Sequence, residues 1–120
     1  MARRQRLNTL TGWSMMWIIC MFDIPVRTKK EQRKATRFRN LLLDNGFTMK
    51  QFSVYIKPVK SLSVGQNTSK KLSKYIPENS SVSFLYITDK QYLMTENYLG
   101  KNYTENEEST REKNGQLLLF

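Results

Sequence analysis

The chain has 120 residues, with 20 Lys and Arg against 10 Asp and Glu, one cysteine and no histidine, for a formal net charge of +10. That length builds one core rather than two, and the charge points to a polyanionic partner, nucleic acid or an acidic membrane surface. Without histidine and with only Cys20, a structural zinc site, a Ser-His or Cys-His nucleophile and an imidazole base are excluded, leaving carboxylates, hydroxyls, Lys, Arg or a hard cation such as Mg²⁺.

The basic residues are unevenly placed. Residues 1–90 hold 17 of them against 5 acids, and residues 91–120 hold 3 against 5. A single cysteine allows no intrachain disulfide, so a reducing compartment, the cytoplasm, is expected. The longest apolar run, Met15 to Phe22, is far short of the roughly 20 residues of a membrane-spanning helix. Arg3, Arg4 and Arg6 ahead of that run imitate a secretory leader. Asp23, Pro25, Arg27 and Lys29, however, stand where small residues should mark a cleavage site.

In chain order, residues 1–14 show no periodicity and read as an extension. Met16 to Phe22 is continuously apolar and stops at Asp23-Ile24-Pro25, which predicts a central strand covered on both faces. Thr28 can cap a helix from Lys29 to Asp44 that Gly46 ends. On that helix Ala35, Phe38, Leu41 and Leu42 share one side, and Lys29, Lys30, Arg33 and Arg37 form a stripe elsewhere.

Phe47 to Lys57 reads as a long strand. Its apolar residues change from odd (Phe47, Met49) to even positions (Phe52, Val54, Ile56), which predicts a bulge near Lys50-Gln51. A connection over Pro58 to Gln66 then leads to a helix from Asn67 to Ile76, with Leu72, Tyr75 and Ile76 inward. Val82 to Thr88 is a strand. Further strands are expected near Asn97 to Leu99 and at Gln116 to Phe120, the polar stretch 101–115 looping out. If the second strand splits at its bulge, the order is that of an α+β, ferredoxin-like βαββαβ domain with additional C-terminal strands. Residues 15–100 then form the domain and 101–120 a tail with a terminal interface strand.

Several blocks in succession resemble the CRISPR-associated protein two family. They are MFDIPV at Met21 to Val26, FRNLLLDNGF at Phe38 to Phe47, KQFSVYIK at Lys50 to Lys57 and ITDKQY at Ile87 to Tyr92, and MFDIP, QFSVY and the closing LLLF look most like members from type II systems. The resemblance covers roughly residues 15 to 100, so residues 1–14 precede the point where such chains usually start. It implies a homodimer that holds double-stranded DNA and bridges dimers of the CRISPR integrase, CRISPR-associated protein one, during spacer acquisition. It also implies a metal-dependent endoribonuclease or endonuclease activity centred on Asp23, with Mg²⁺ or another divalent cation and single-stranded RNA as a second nucleic-acid substrate.

Each candidate residue has a plainer reading. Asp23 ends an apolar strand and is expected as catalytic residue and metal ligand, paired with its copy across a two-fold axis; the plain alternative is a turn-forming Asp before Pro25. Ser53 and Tyr55 share a strand face with Gln51 and are secondary candidates for phosphate contact, or ordinary strand residues, since no base is at hand to activate Ser53. Lys29, Lys30, Arg33 and Arg37 are expected to contact phosphates: Glu31 is the only acid among seven bases from Arg27 to Arg39, whereas a merely solvated face mixes signs. A generic RNA-binding ferredoxin-like module without catalysis is the alternative function. KQFSVYIK lacks the glycines of its RNP signature.

Overall fold

The computed structural model describes residues 15–104. Strand β1 (Met16–Asp23) leads to helix α1 (Lys29–Asp44), then to strands β2 (Thr48–Gln51) and β3 (Val54–Val59), helix α2 (Leu62–Ser73), strand β4 (Ser81–Thr88) and a single turn, α3 (Asp89–Tyr92). The sheet order is β2-β3-β1-β4, with every neighbouring pair antiparallel. This is the ferredoxin-like arrangement.

The start of α1 is fixed by a reciprocal cap. The Thr28 hydroxyl accepts from the Glu31 N–H at 3.0 Å, and the Glu31 carboxylate accepts from the Thr28 and Arg27 N–H groups at 3.1 and 2.9 Å. Gly46, at φ 88°, turns the chain out of the helix. The Phe47 N–H then bonds back to the Leu42 carbonyl at 3.0 Å.

One face of the sheet carries both helices. Ile18 and Cys20 of β1 and Tyr55 and Val59 of β3 pack with Ala35, Phe38 and Leu42 of α1 and Leu72 of α2. The other face is also apolar. Ile19 stands opposite Ile56 and Leu85, and Met21 opposite Val54, yet Met21 and Leu85 remain 40% and 47% exposed. In one chain, therefore, the helices cover one face of β1, not both.

Three local expectations need correction, whereas the second strand splits at its expected bulge into a hairpin: a register shift lies between Met49 and Gln51, and Phe52-Ser53 forms a two-residue turn with Ser53 at φ 61°. The bulge reverses side-chain parity and the turn restores it, so Tyr55, not Val54, faces the helices. Helix α2 starts at Leu62, not Asn67, because Ser61 caps it, accepting from the Val64 N–H at 3.3 Å. Gly65 lies inside this helix, where a Cβ would sit 3.2 Å from the Tyr86 ring. The Tyr86 hydroxyl bonds Ser69 Oγ at 2.5 Å and locks α2 onto β4. Tyr75 follows the helix end and is 61% exposed rather than inward. Asn97 to Leu99 is not a strand, while α3 was not anticipated; Thr88 and Gln91 cap it, the Trp17 indole donates to Asp89 at 2.7 Å, and Trp17 stacks on Tyr92 at 4.2 Å. The expectations for residues 1–14 and for a strand at Gln116 to Phe120 lie outside the described residues.

Candidate nucleic-acid interface and carboxylate site

Asp23 is the last residue of β1 and is exposed, its register partner on β4 being Ser81. Behind it, the Phe22 ring meets Phe38 edge-on at 5.6 Å and stacks on Tyr55 at 5.7 Å. The Phe22 N–H donates to the Ser53 carbonyl at 3.1 Å, which holds the β2–β3 turn against the end of β1. Asp23, Arg39, Phe52 and Ser53 consequently line one cavity of about 180 Å³, floored by Phe22 and Ala35.

Two of the predicted residues, Asp23 and Ser53, thus come together; Tyr55 does not join them. It is 1% exposed within the helix-facing core, so its expected place beside Ser53 and Gln51 on one strand face is corrected: the turn separates them and parity sends Tyr55 inward. Ser53 adopts a left-handed backbone that costs a non-glycine residue about 1–2 kcal/mol.

Arg39 was not singled out from the sequence, although its spacing carried a signal. It stands four residues after Ala35, on the helix side otherwise given to Ala35, Phe38 and Leu42, and it is 8% exposed. A guanidinium seldom lies so deep without a partner of opposite charge or a hydrogen-bonding network, and its planar fork suits a carboxylate or a phosphate.

The cavity's donors are a carboxylate, a hydroxyl and a carbonyl, hard oxygen groups suited to Mg²⁺ rather than to zinc. Among the described residues no three of His, Cys, Asp and Glu gather as a metal cluster. One chain offers a single carboxylate beside a guanidinium and does not by itself fit a divalent cation.

Lys29, Lys30, Arg33 and Arg37 are all exposed, and among the described residues none enters an ion pair. Lys34, by contrast, pairs with Glu78 at 3.5 Å and Arg27 with Glu31 at 3.7 Å. Lys29 and Lys30 are the first two residues of α1, at the positive end of the helix dipole, where a cation is locally unfavourable. The Thr28–Glu31 cap already engages this end of the helix, so an anion drawn there meets chiefly the side-chain charges.

Comparison with known proteins agrees with this fold. The sequence profile of the family described as CRISPR associated protein Cas2 matches residues 16–95. A CRISPR-associated endoribonuclease Cas2 from Flavobacterium psychrophilum is 36% identical over 116 residues, 97% of each chain. One from Paracidovorax avenae is 41% identical over 93 residues, 78% of this chain and 86% of the relative. The crystal structure of Streptococcus pyogenes Cas2 superposes with a TM-score of 0.55 at 20% identity, over 70% of this chain and 99% of that one, a likeness of fold. With that profile spanning β1 through α3 and relatives this similar along the chain, the protein belongs to the CRISPR associated protein Cas2 family.

Proposed function

We propose that this chain works as a homodimer that holds duplex DNA and bridges integrase subunits during CRISPR spacer acquisition in the cytoplasm. The observation that carries this reading is the exposed stripe of Lys29, Lys30, Arg33 and Arg37, free of ion pairs among the described residues and begun at a helix end that disfavours cations. Such contacts grip a backbone without reading bases.

The second face of the sheet supports dimerisation. Ile19, Met21, Val54, Ile56 and Leu85 present aliphatic side chains there, with Met21 and Leu85 well exposed, and a second copy would bury them by a self-complementary contact. An RNA-recognition module of this fold instead stacks bases on exposed aromatic residues of its central strands; the one aromatic of β1 on this face, Trp17, already stacks on Tyr92, so the face favours a protein partner.

The names of the relatives support a second capacity, endoribonuclease chemistry, and the Asp23 cavity is where we assign it. Across a two-fold axis, Asp23 of both chains would hold one divalent ion, which when bound would polarise a phosphodiester. In each chain, Arg39 would orient the phosphate from the buried side, while Ser53 fixes the cavity wall through its carbonyl. Sedimentation of the full chain with mixed-sequence duplex and with the integrase tests the main reading. A two-chain particle that binds both is expected; a monomer, or a dimer indifferent to duplex, would contradict it.

A further inference from the structure

A second cavity lies on the opposite side of α1 from Asp23 and shares no residue with the first. It is a groove of about 590 Å³ between α1 and the α2–β4 connection, within the size range of sites for small organic groups. Phe38, Leu41 and Ile76 give it an apolar floor, and Arg37, Lys74 and Tyr75 stand along it. Tyr75 is 61% exposed, a large aromatic surface left to solvent at the rim of an apolar groove.

Three basic residues, Lys34, Arg37 and Lys74, and two acidic ones, Asp44 and Glu78, line it. Lys34 and Glu78 occupy each other across one end at 3.5 Å, and Asp44 stands among the lining residues. Arg37 and Lys74 enter no ion pair among the described residues, and exposed Lys70 and Lys71 precede Lys74 at the end of α2. Between Asp44 and Glu78 the chain has six lysines and no acid. Arg37 belongs both to this groove and to the stripe on α1, so the cationic surface runs from one into the other.

An aromatic face with flanking cations is the chemistry that receives an unpaired base and its neighbouring phosphates, independently of sequence. We infer that the groove binds a single-stranded segment of nucleic acid, one base stacked on Tyr75 and its phosphates on Arg37 and Lys74. This goes beyond the duplex reading and uses it only in that Arg37 lies where the duplex track would end.

The test measures affinity of the full chain for a thymidine oligonucleotide of about ten nucleotides and for a mixed-sequence duplex. Tyr75→Ala should weaken the single strand about tenfold, within the range measured for base stacking. Tyr75→Phe should bind like the wild type, and duplex affinity should change by less than about twofold, since stacking plays no part in it. An unchanged single-strand affinity in Tyr75→Ala, or an equal loss for strand and duplex, overturns the inference. So does single-strand binding that occurs only after removal of residues 105–120, which would make the chain's own acidic and apolar end the occupant. Failure to bind either nucleic acid would overturn the duplex reading as well.

Discussion

The cations at the start of α1 set stability against binding, and a Lys29→Ala/Lys30→Ala variant separates the two. Both side chains lie in the first turn, where each positive charge opposes the helix dipole by about 0.3–1 kcal/mol. Removing both should stabilise the fold by about 1 kcal/mol and raise the melting temperature by about 4–8 °C. The Thr28–Glu31 cap is untouched, and alanine is the better helix former. Duplex binding should move the other way. Two lost phosphate contacts flatten the dependence of log K on log salt by about 1.8 and weaken binding roughly 60-fold near 0.1 M salt. Thermal melts and a salt titration of affinity, made on the same preparation with several unrelated duplexes, read both effects. A stabilised variant with unaltered DNA affinity would refute the phosphate role, and a loss confined to one duplex would point to base reading instead.

Replacing Gly65 by Val puts a branched side chain where even a Cβ would approach the Tyr86 ring to 3.2 Å, and denaturant titration should show a loss of about 1–3 kcal/mol. Burial pushes the Cys20 thiol from 9.0 up to about 12, so the native protein should resist thiol reagents below pH 9 and react once unfolded. The unfolded chain ionises first as pH rises, so this thiol's contribution is full below pH 9 and lost progressively from there to about 12; melts across that window check it. Arg39→Lys keeps the charge but loses the planar fork. Cleavage should fall at least about tenfold while duplex affinity holds, and equal losses in both would place Arg39 in the binding track instead.

The elements governed by local chemistry were legible in the sequence. Thr28 and Gly46 marked both ends of α1, and the change of apolar parity located the bulge near Lys50-Gln51. The errors came from treating apolar as equivalent to helix-facing. Val54 and Ile56 are apolar because the second sheet face is too, and no single-chain periodicity distinguishes two apolar faces. The start of α2 was hidden for a related reason: Gly65 reads as a helix breaker, and only its approach to Tyr86 explains a glycine there. At the site, Asp23 was visible as a charge ending an apolar run. Its meeting with Arg39 and Ser53 depends on the packing of α1 and on the β2–β3 turn, contacts between residues distant in the chain. Tyr75 was misplaced because helical spacing was extended beyond the true end of α2.

As proposed, the protein holds DNA as a bridge, and chemistry at Asp23 is a separable capacity. Asp23→Ala tests it most directly when metal-dependent cleavage, duplex binding and spacer acquisition are measured on the same variant. The exposed position of Asp23 leaves the core intact, and deleting a negative charge can only raise the attraction for phosphate. Cleavage should disappear, duplex affinity should hold or rise, and acquisition should continue. Acquisition that stops together with cleavage, while the dimer and its duplex affinity remain intact, would contradict the account.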